Sequence, residues 1–316
     1  MDNEGKISVF EDKKYVSLNY NGLIPTQFCK LNYKTNNFSC GEVGFVIKDN
    51  CVNQCVVIFQ SFSVGKFNDD LLNLILLCNA LWQSKVLRIE LVAPFLPYTR
   101  QDSYYCVSGK GVASLGVQTV ADVINMCKIS KITTFDLHSQ LILKFLKGDL
   151  TQLSAIPLFI QNIKKKFNPT NVCIVFPDIS AARRIVYGQE VVKIIKDEGF
   201  NVATMCKQRI NIGGSVKITL NSNQIIGKKV AIIIDDMIDS GQTVIHASNI
   251  LLANGVKEVY CYATHGVFLN SSVKKLKNSS IKTVFISNSI KNNYPNKPLL
   301  SKFNVIELDK AMFTMW

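Results

Sequence analysis

"VAIIIDDMIDSGQTVIHAS", Val230 to Ser248, is the stretch from which the fold can be read. Five apolar residues run straight into two carboxylates, Asp235 and Asp236, and Asp239 and Ser240-Gly241-Gln242-Thr243 follow. An apolar, β-branched run without alternation fits a strand covered on both faces. The acids break that run, so the strand is expected to end at Asp235. A short polar turn should then lead into an amphipathic helix over Gly241–Asn254. Strand, turn and returning helix make one unit of a parallel α/β sheet.

The same unit recurs along the chain. Candidate strands are Cys55–Gln60, Arg88–Phe95, Lys131–Leu137, Val172–Pro177, Asn201–Cys206, Lys229–Asp235, Glu258–His265 and Thr283–Asn288. Helix-length stretches at Asp69–Ser84 and Ser180–Glu198 lie between them. This alternation predicts parallel sheets flanked by helices, with successive strand ends on one rim. Apolar periodicity lapses over Lys147–Pro157, which divides the chain into two α/β halves.

Composition narrows the class. The 316 residues suffice for two domains, and 47% apolar with 19% charged residues describes a globular chain. No apolar run reaches the ~18 residues of a membrane span, and the amino terminus is charged, so a cytoplasmic protein with no membrane partner is expected. Ten scattered cysteines without a CxxC pair read as buried thiols. The formal charge of +13 fits a lysine-rich surface or a field that gathers phosphorylated small molecules. Nucleic acid is not expected as a partner, because the lysines occur only in short groups such as Lys164-Lys165-Lys166.

Polar residues gather where the apolar runs end. Arg100, Gln101 and Asp102 follow one run, Asp136 and His138 another, and Asp178, Lys207, Arg209, the acids of Val230–Ser248 and His265 follow others. Open parallel sheets bind ligands at the carboxyl ends of their strands. The turn Asp239–Thr243 offers backbone N–H groups, two hydroxyls and a helix N-terminus to an anion. Carboxylates beside such a cradle make sense if they bind sugar hydroxyls or hold a divalent ion. The plainer alternative is that Asp239 or Ser240 caps the helix and the other acids are solvated.

With these motifs in view, the chain resembles the ribose-phosphate pyrophosphokinase family. "PFLPYTRQD", "TTFDLHSQLILKF", "VFPDISAARR", "KKVAIIIDDMIDSGQT" and "VYCYATHGVF" stand in that family's order and spacing from about Phe38 onward. The resemblance implies two type I phosphoribosyltransferase-like domains, each a mostly parallel sheet flanked by helices. These would be 1–153, rejoined by 303–316, and 154–302. It implies diphosphate transfer from MgATP to the C1 hydroxyl of ribose 5-phosphate, giving phosphoribosyl pyrophosphate and AMP. The ribose-phosphate loop falls on Asp235, Asp236, Asp239, Ser240, Gly241, Gln242 and Thr243. ATP contacts fall on Phe38, Glu42, Arg100, Gln101, Asp102 and His138, with Phe38 and Glu42 reaching a neighbouring subunit's site. His138 and Asp178 take the Mg²⁺ positions, and Lys207 and Arg209 the catalytic basic loop. A dimer-based homo-oligomer, up to a hexamer, is implied as well.

The departures from the pattern lie mostly on the ATP side. Ser103 and Tyr104 stand where the family carries positive charge, Cys40 replaces a polar residue of the adenine segment, and Ser180 and Ala181 replace glycines. Gly241 comes one place before the family's usual glycine, whose position Gln242 takes. Two other readings are therefore carried: a weak or inactive paralogue serving as a binding or regulatory subunit, and a phosphoribosyltransferase. The shared retention of His138, Asp178, Lys207 and Arg209 argues against the first. The absence of any use for the amino-terminal half argues against the second.

Overall fold

The computed structural model describes residues 14–18, 20, 24, 28–104, 111–178, 189–209, 216–220, 225–268, 270–291 and 301–308. All eight apolar runs read from the sequence are parallel strands within its two sheets. Lys14–Leu18 (β1), Cys29–Lys30 (β2), Cys55–Gln60 (β5), Arg88–Val92 (β6), Ile129–Phe135 (β7) and Asp149–Leu153 (β8) form the first sheet, in the order β2-β1-β5-β6-β7-β8. Tyr33–Asn37 (β3) and Val43–Ile47 (β4) form a separate antiparallel hairpin. The second sheet contains Val172–Phe176 (β9), Asn201–Arg209 (β10), Val216–Leu220 (β11), Val230–Ile238 (β12), Glu258–Gly266 (β13), Ile281–Ser287 (β14) and Phe303–Ile306 (β15). Its order is β11-β10-β9-β12-β13-β14-β15, with only β11 antiparallel.

Helices cover both faces. Phe67–Gln83 (α1) and Gly116–Met126 (α2) pack on one side of the first sheet, and Leu74, Leu77, Cys78 and Leu81 of α1 recur at helical spacing and are buried there. Each such leucine contributes about 2 kcal/mol of apolar burial. Gln242–Ala253 (α5) and Asn270–Asn278 (α6) cover one side of the second sheet, the remaining pair being Ile156–Lys166 (α3) and Gln189–Asp197 (α4). The third helix lies between the two sheets. Phe159, Ile160 and Ile163 share a core with Phe59, Val92 and Phe135 of the first sheet and Ile174, Ile232 and Tyr262 of the second. Among the described residues no helix is long and apolar enough to cross a membrane.

One expectation needs correction. The acids do not end strand β12, which continues through Asp235, Asp236 and Met237 to Ile238, pairing Met237 with His265 and Ile238 with Gly266. Neighbouring β13 runs equally far, so the ladder hydrogen bonds outlast the apolar run. Of the closing segment, Phe303–Ile306 pairs with Val284–Ser287 at the edge of the second sheet, with Phe303 buried, while Ile306 and Leu308 pack on the core shared with Phe28, Val57 and Phe59 of the first half. Residues 309–316 lie outside the described portion.

Candidate active site at the junction of the two halves

The carboxyl ends of β7 and β12 meet at a polar cavity of about 220 Å³. Arg100, His138 and Asp178 line it together with Asp235, Asp236, Asp239, Ser240, Gly241 and Thr243. Residues far apart in sequence are joined there by charge. The His138 Nδ1 lies 2.6 Å from Asp236 Oδ2, and an Arg100 guanidinium nitrogen donates to Asp239 Oδ2, also at 2.6 Å. Each contact crosses from the first half to the second. Alternation along β12 sends Asp235 and Asp236 to opposite faces, yet both are buried, at 7% and 1% exposure. Acids are almost never buried this deeply unless they are paired.

The loop after the strand is shaped by glycine. Gly241, the N-cap of α5, has φ +74°, and a Cβ there would stand 3.0 Å from the Leu276 side chain. Both conditions select glycine at this position rather than one residue later. The N-cap residue, Gly241, has no side chain to offer, and Ser240 Oγ accepts a long 3.4 Å hydrogen bond from the Gln242 N–H. Of the two capping candidates, Ser240 thus keeps a weak capping contact, while Asp239 is engaged by Arg100. Gln242 opens the helix as an exposed residue and does not line the cavity.

Other anticipated residues fall elsewhere. Gln101 packs over Gly116, where an added Cβ would meet its side chain at 2.7 Å, and Asp102 is exposed outside the cavity. Phe38 and Glu42 sit on the β3–β4 hairpin and line a different cavity of about 620 Å³ against α1. The Lys207 and Arg209 backbones lie in β10, opposite Ile218 and Val216 of β11, and their side chains lie outside the described portion. Cys40 is exposed, and the Tyr104 hydroxyl bonds Gln118 Oε1 at 3.1 Å. Ser180 and Ala181 lie outside the described residues.

Beneath the cavity lies a buried polar network whose importance the sequence does not display. Asp136 holds φ +32° and is fully buried; its Oδ2 accepts from the Thr264 hydroxyl at 2.6 Å and the Ala155 N–H at 2.9 Å, while Oδ1 has no hydrogen-bond partner. His265 Nε2 faces the Phe135 and Asp136 carbonyls at 3.1 and 3.3 Å, and carbonyls only accept, so Nε2 carries the proton. Nδ1 and the Thr264 carbonyl each lie 2.9 Å from Ser289 Oγ, so the two acceptors share its single hydroxyl proton. Phe95 packs edge-on against the same ring. Thr264 and His265 thus tie β13 to the turn that carries His138. For His265 the signal was its place at the end of a parallel strand; Thr264, an ordinary strand threonine, carried none.

Burial moves both titratable members toward neutrality. It lowers His265 from 6.5 to about 4, and raises Asp136 from 3.8 to about 6 against the opposing hydrogen bonds of Thr264 and Ala155. A histidine depressed in the folded state costs stability as pH falls from 6.5 toward 4. A carboxyl raised in the folded state costs stability as pH rises from 3.8 toward 6. Each spans about 3 kcal/mol, and over pH 4 to 6 the two slopes oppose. The wild-type contribution of the pair should be nearly flat there. Asp136→Asn should uncover the histidine slope, seen as a melting temperature that falls steadily from pH 6.5 to 4.5. Equal pH profiles for variant and wild type would count against the assignment.

Similarity to known proteins agrees with this arrangement. Residues 25–127 match the N-terminal domain of ribose phosphate pyrophosphokinase, and residues 208–312 match a phosphoribosyl synthetase-associated domain. Ribose-phosphate pyrophosphokinase of Haemophilus influenzae is 30% identical over 253 residues, 80% of this chain and 77% of that protein. The Pasteurella multocida protein of the same name is 29% identical over 271 residues, 86% of this chain and 81% of its own. The crystal structure of phosphoribosylpyrophosphate synthetase from Mycobacterium smegmatis superposes with a TM-score of 0.76, covering 91% of this chain and 90% of that one at 23% identity, and so shares the fold. The sheets, the junction cavity and these likenesses agree that the chain belongs to the ribose-phosphate pyrophosphokinase family of enzymes, as a divergent member.

Proposed function

We propose that the protein transfers the diphosphoryl group of MgATP to the C1 hydroxyl of ribose 5-phosphate, releasing AMP. The observation that carries this reading is the convergence of two buried carboxylates, a helix N-terminus and groups from the other half on one small cavity. The ligand's 5-phosphate fits the N–H groups of Ser240–Thr243, where the helix dipole favours an anion. Asp235 and Asp236 accept hydrogen bonds from the ribose hydroxyls. The C1 oxygen then attacks the β-phosphorus in line, the bond to the α-phosphate oxygen breaks, AMP leaves and the C1 hydroxyl gives up its proton. Arg100, held beside the cavity by Asp239, supplies positive charge to the phosphates.

The donor set suits magnesium. The cavity walls are rich in carboxylates, and no described group of three or more acidic, histidine or cysteine residues forms a self-sufficient metal cluster. Magnesium takes one or two carboxylates and completes its shell with substrate phosphates and water. Asp178 and His138 would hold it, and it would neutralise charge on the transferring diphosphate. His138 engages Asp236 through Nδ1, so a metal contact from that ring falls to Nε2, with Asp236 orienting it. Lys207 and Arg209, on the strand beside β9, would close over the transferring group. Phe38, exposed at 56% on its hairpin, and Glu42 would complete the nucleotide site of a neighbouring copy in a homo-oligomer.

A second reading, a subunit that binds ribose phosphate without turning it over, draws on the ATP side: Ser103 and Tyr104 bring no cation, and Tyr104 is engaged with Gln118. Phosphorus NMR of the protein with MgATP and ribose 5-phosphate separates the two. AMP together with a pyrophosphate ester on ribose supports synthesis. Unchanged ATP while ribose 5-phosphate binds would overturn it in favour of the second reading.

A further inference from the structure

We propose that the amino-terminal rim of the second sheet is a docking surface for single-stranded nucleic acid. Parallel strands put all their starts on one rim, and right-handed crossovers bring the ends of the connecting helices to it. The short lysine groups, scattered in sequence, are gathered there by the topology. The Lys229 N–H donates to the Asn171 carbonyl and the Lys257 N–H to the Lys229 carbonyl, so the starts of β9, β12 and β13 abut. Lys282 enters β14 beside them, and Lys165, Lys166 and Lys277 arrive from the ends of α3 and α6. All six are exposed.

The acids of the rim offset only part of this charge: Glu198 is engaged by Lys164, while Glu258, which accepts from the Tyr260 hydroxyl, and exposed Asp197 at the end of α4 stand against the six lysines. A helix C-terminus attracts cations, which accounts for Lys166 and Lys277 without any partner. It does not account for Lys229, Lys257 and Lys282, which stand on or just before strands. Next to Lys166 lies an aromatic pair, Phe167 against Tyr260 with ring centres 4.8 Å apart, both half-buried against the core on the α3 side. A basic strip with partly open aromatic rings fits a phosphate backbone with bases free to stack, and it favours a single strand over a lipid surface. Strand β12 is nine residues long, which places this rim about 26 Å from the acids' end of the strand at a rise of ~3.3 Å per residue. Occupancy there leaves the junction cavity open.

The test is fluorescence anisotropy of a labelled oligothymidylate with the full chain. Neutralising about six phosphates predicts an affinity that drops about 300-fold between 50 and 200 mM salt. Lys229→Glu with Lys257→Glu should weaken binding at least about tenfold, as should Lys277→Glu with Lys282→Glu. Lys34→Glu with Lys48→Glu alters the net charge equally on the hairpin side and should change binding less than twofold. Thermal melting of each variant establishes that it is folded. Saturating ribose 5-phosphate and MgATP should leave the affinity unchanged. Equal weakening by rim and hairpin variants would overturn the proposal in favour of a diffuse field. So would tighter binding to phosphatidylserine vesicles than to the oligonucleotide, and competition by the substrates would place the strand in the active site instead.

Discussion

Replacing Asp235 and Asp236 together by alanine is expected to abolish ribose 5-phosphate binding and leave the fold intact. Hydrogen bonds to a charged acceptor are worth about 1.5–3 kcal/mol each, so losing two costs about 3–6 kcal/mol, at least about a hundredfold in affinity. The fold should survive because buried carboxylates carry a desolvation cost that leaves with them. Their partner His138 keeps 19% side-chain exposure, so water can reach its ring. Titration calorimetry with ribose 5-phosphate and a thermal melt of the same sample decide the matter. A folded double variant that still binds would sink the assignment. Asp236→Asn alone separates roles: it keeps an oxygen acceptor for His138 but removes the charge, so ribose binding should weaken while His138 stays in place.

The largest effect on stability is expected at Tyr262. Its ring is fully buried, stacks on Phe285 at 4.3 Å, packs against Phe159 at 5.4 Å and donates its hydroxyl to Asn162 Oδ1 at 2.9 Å. Burial holds the phenol well above its ordinary range. Tyr262→Ala should cost about 4–5 kcal/mol, the sum of lost burial, the cavity left behind and the aromatic contacts. Tyr262→Phe keeps the ring and loses one hydrogen bond, for about 1–2 kcal/mol. Denaturant unfolding of both variants measures the difference. An alanine cost under about 2 kcal/mol would mean that α3 and the sheet collapse into the space, contrary to the packing described.

The central strands were legible because parallel strands buried on both faces read as unbroken apolar runs. Edge strands were not. β8, "DLTQL", and β3, "YKTNN", are half in water, and their polar side chains carry no apolar signature. The last residues of β12 were hidden for the opposite reason: acids that serve a cavity look like a strand's end, although the backbone pairing continues. At the site, the residue types and the loop were legible from the rule that parallel sheets bind ligands at their carboxyl ends. Their pairing was not. Arg100 meets Asp239 across 139 positions and His138 meets Asp236 across 98, distances over which no local pattern reports. The role of Thr264 was invisible because a buried threonine in a strand is ordinary until its carboxylate partner is known.

The helix shared by both sheets has a thermodynamic consequence. Phe159, Ile160 and Ile163 cannot leave one sheet without leaving the other, and Met237 and Ile290 likewise sit in the core of the first half. Neither half retains a complete core when its neighbour melts. Calorimetry should therefore record one transition whose van't Hoff and calorimetric enthalpies agree, where two independent lobes would give two. A ligand at the junction cavity should raise that single midpoint as a whole.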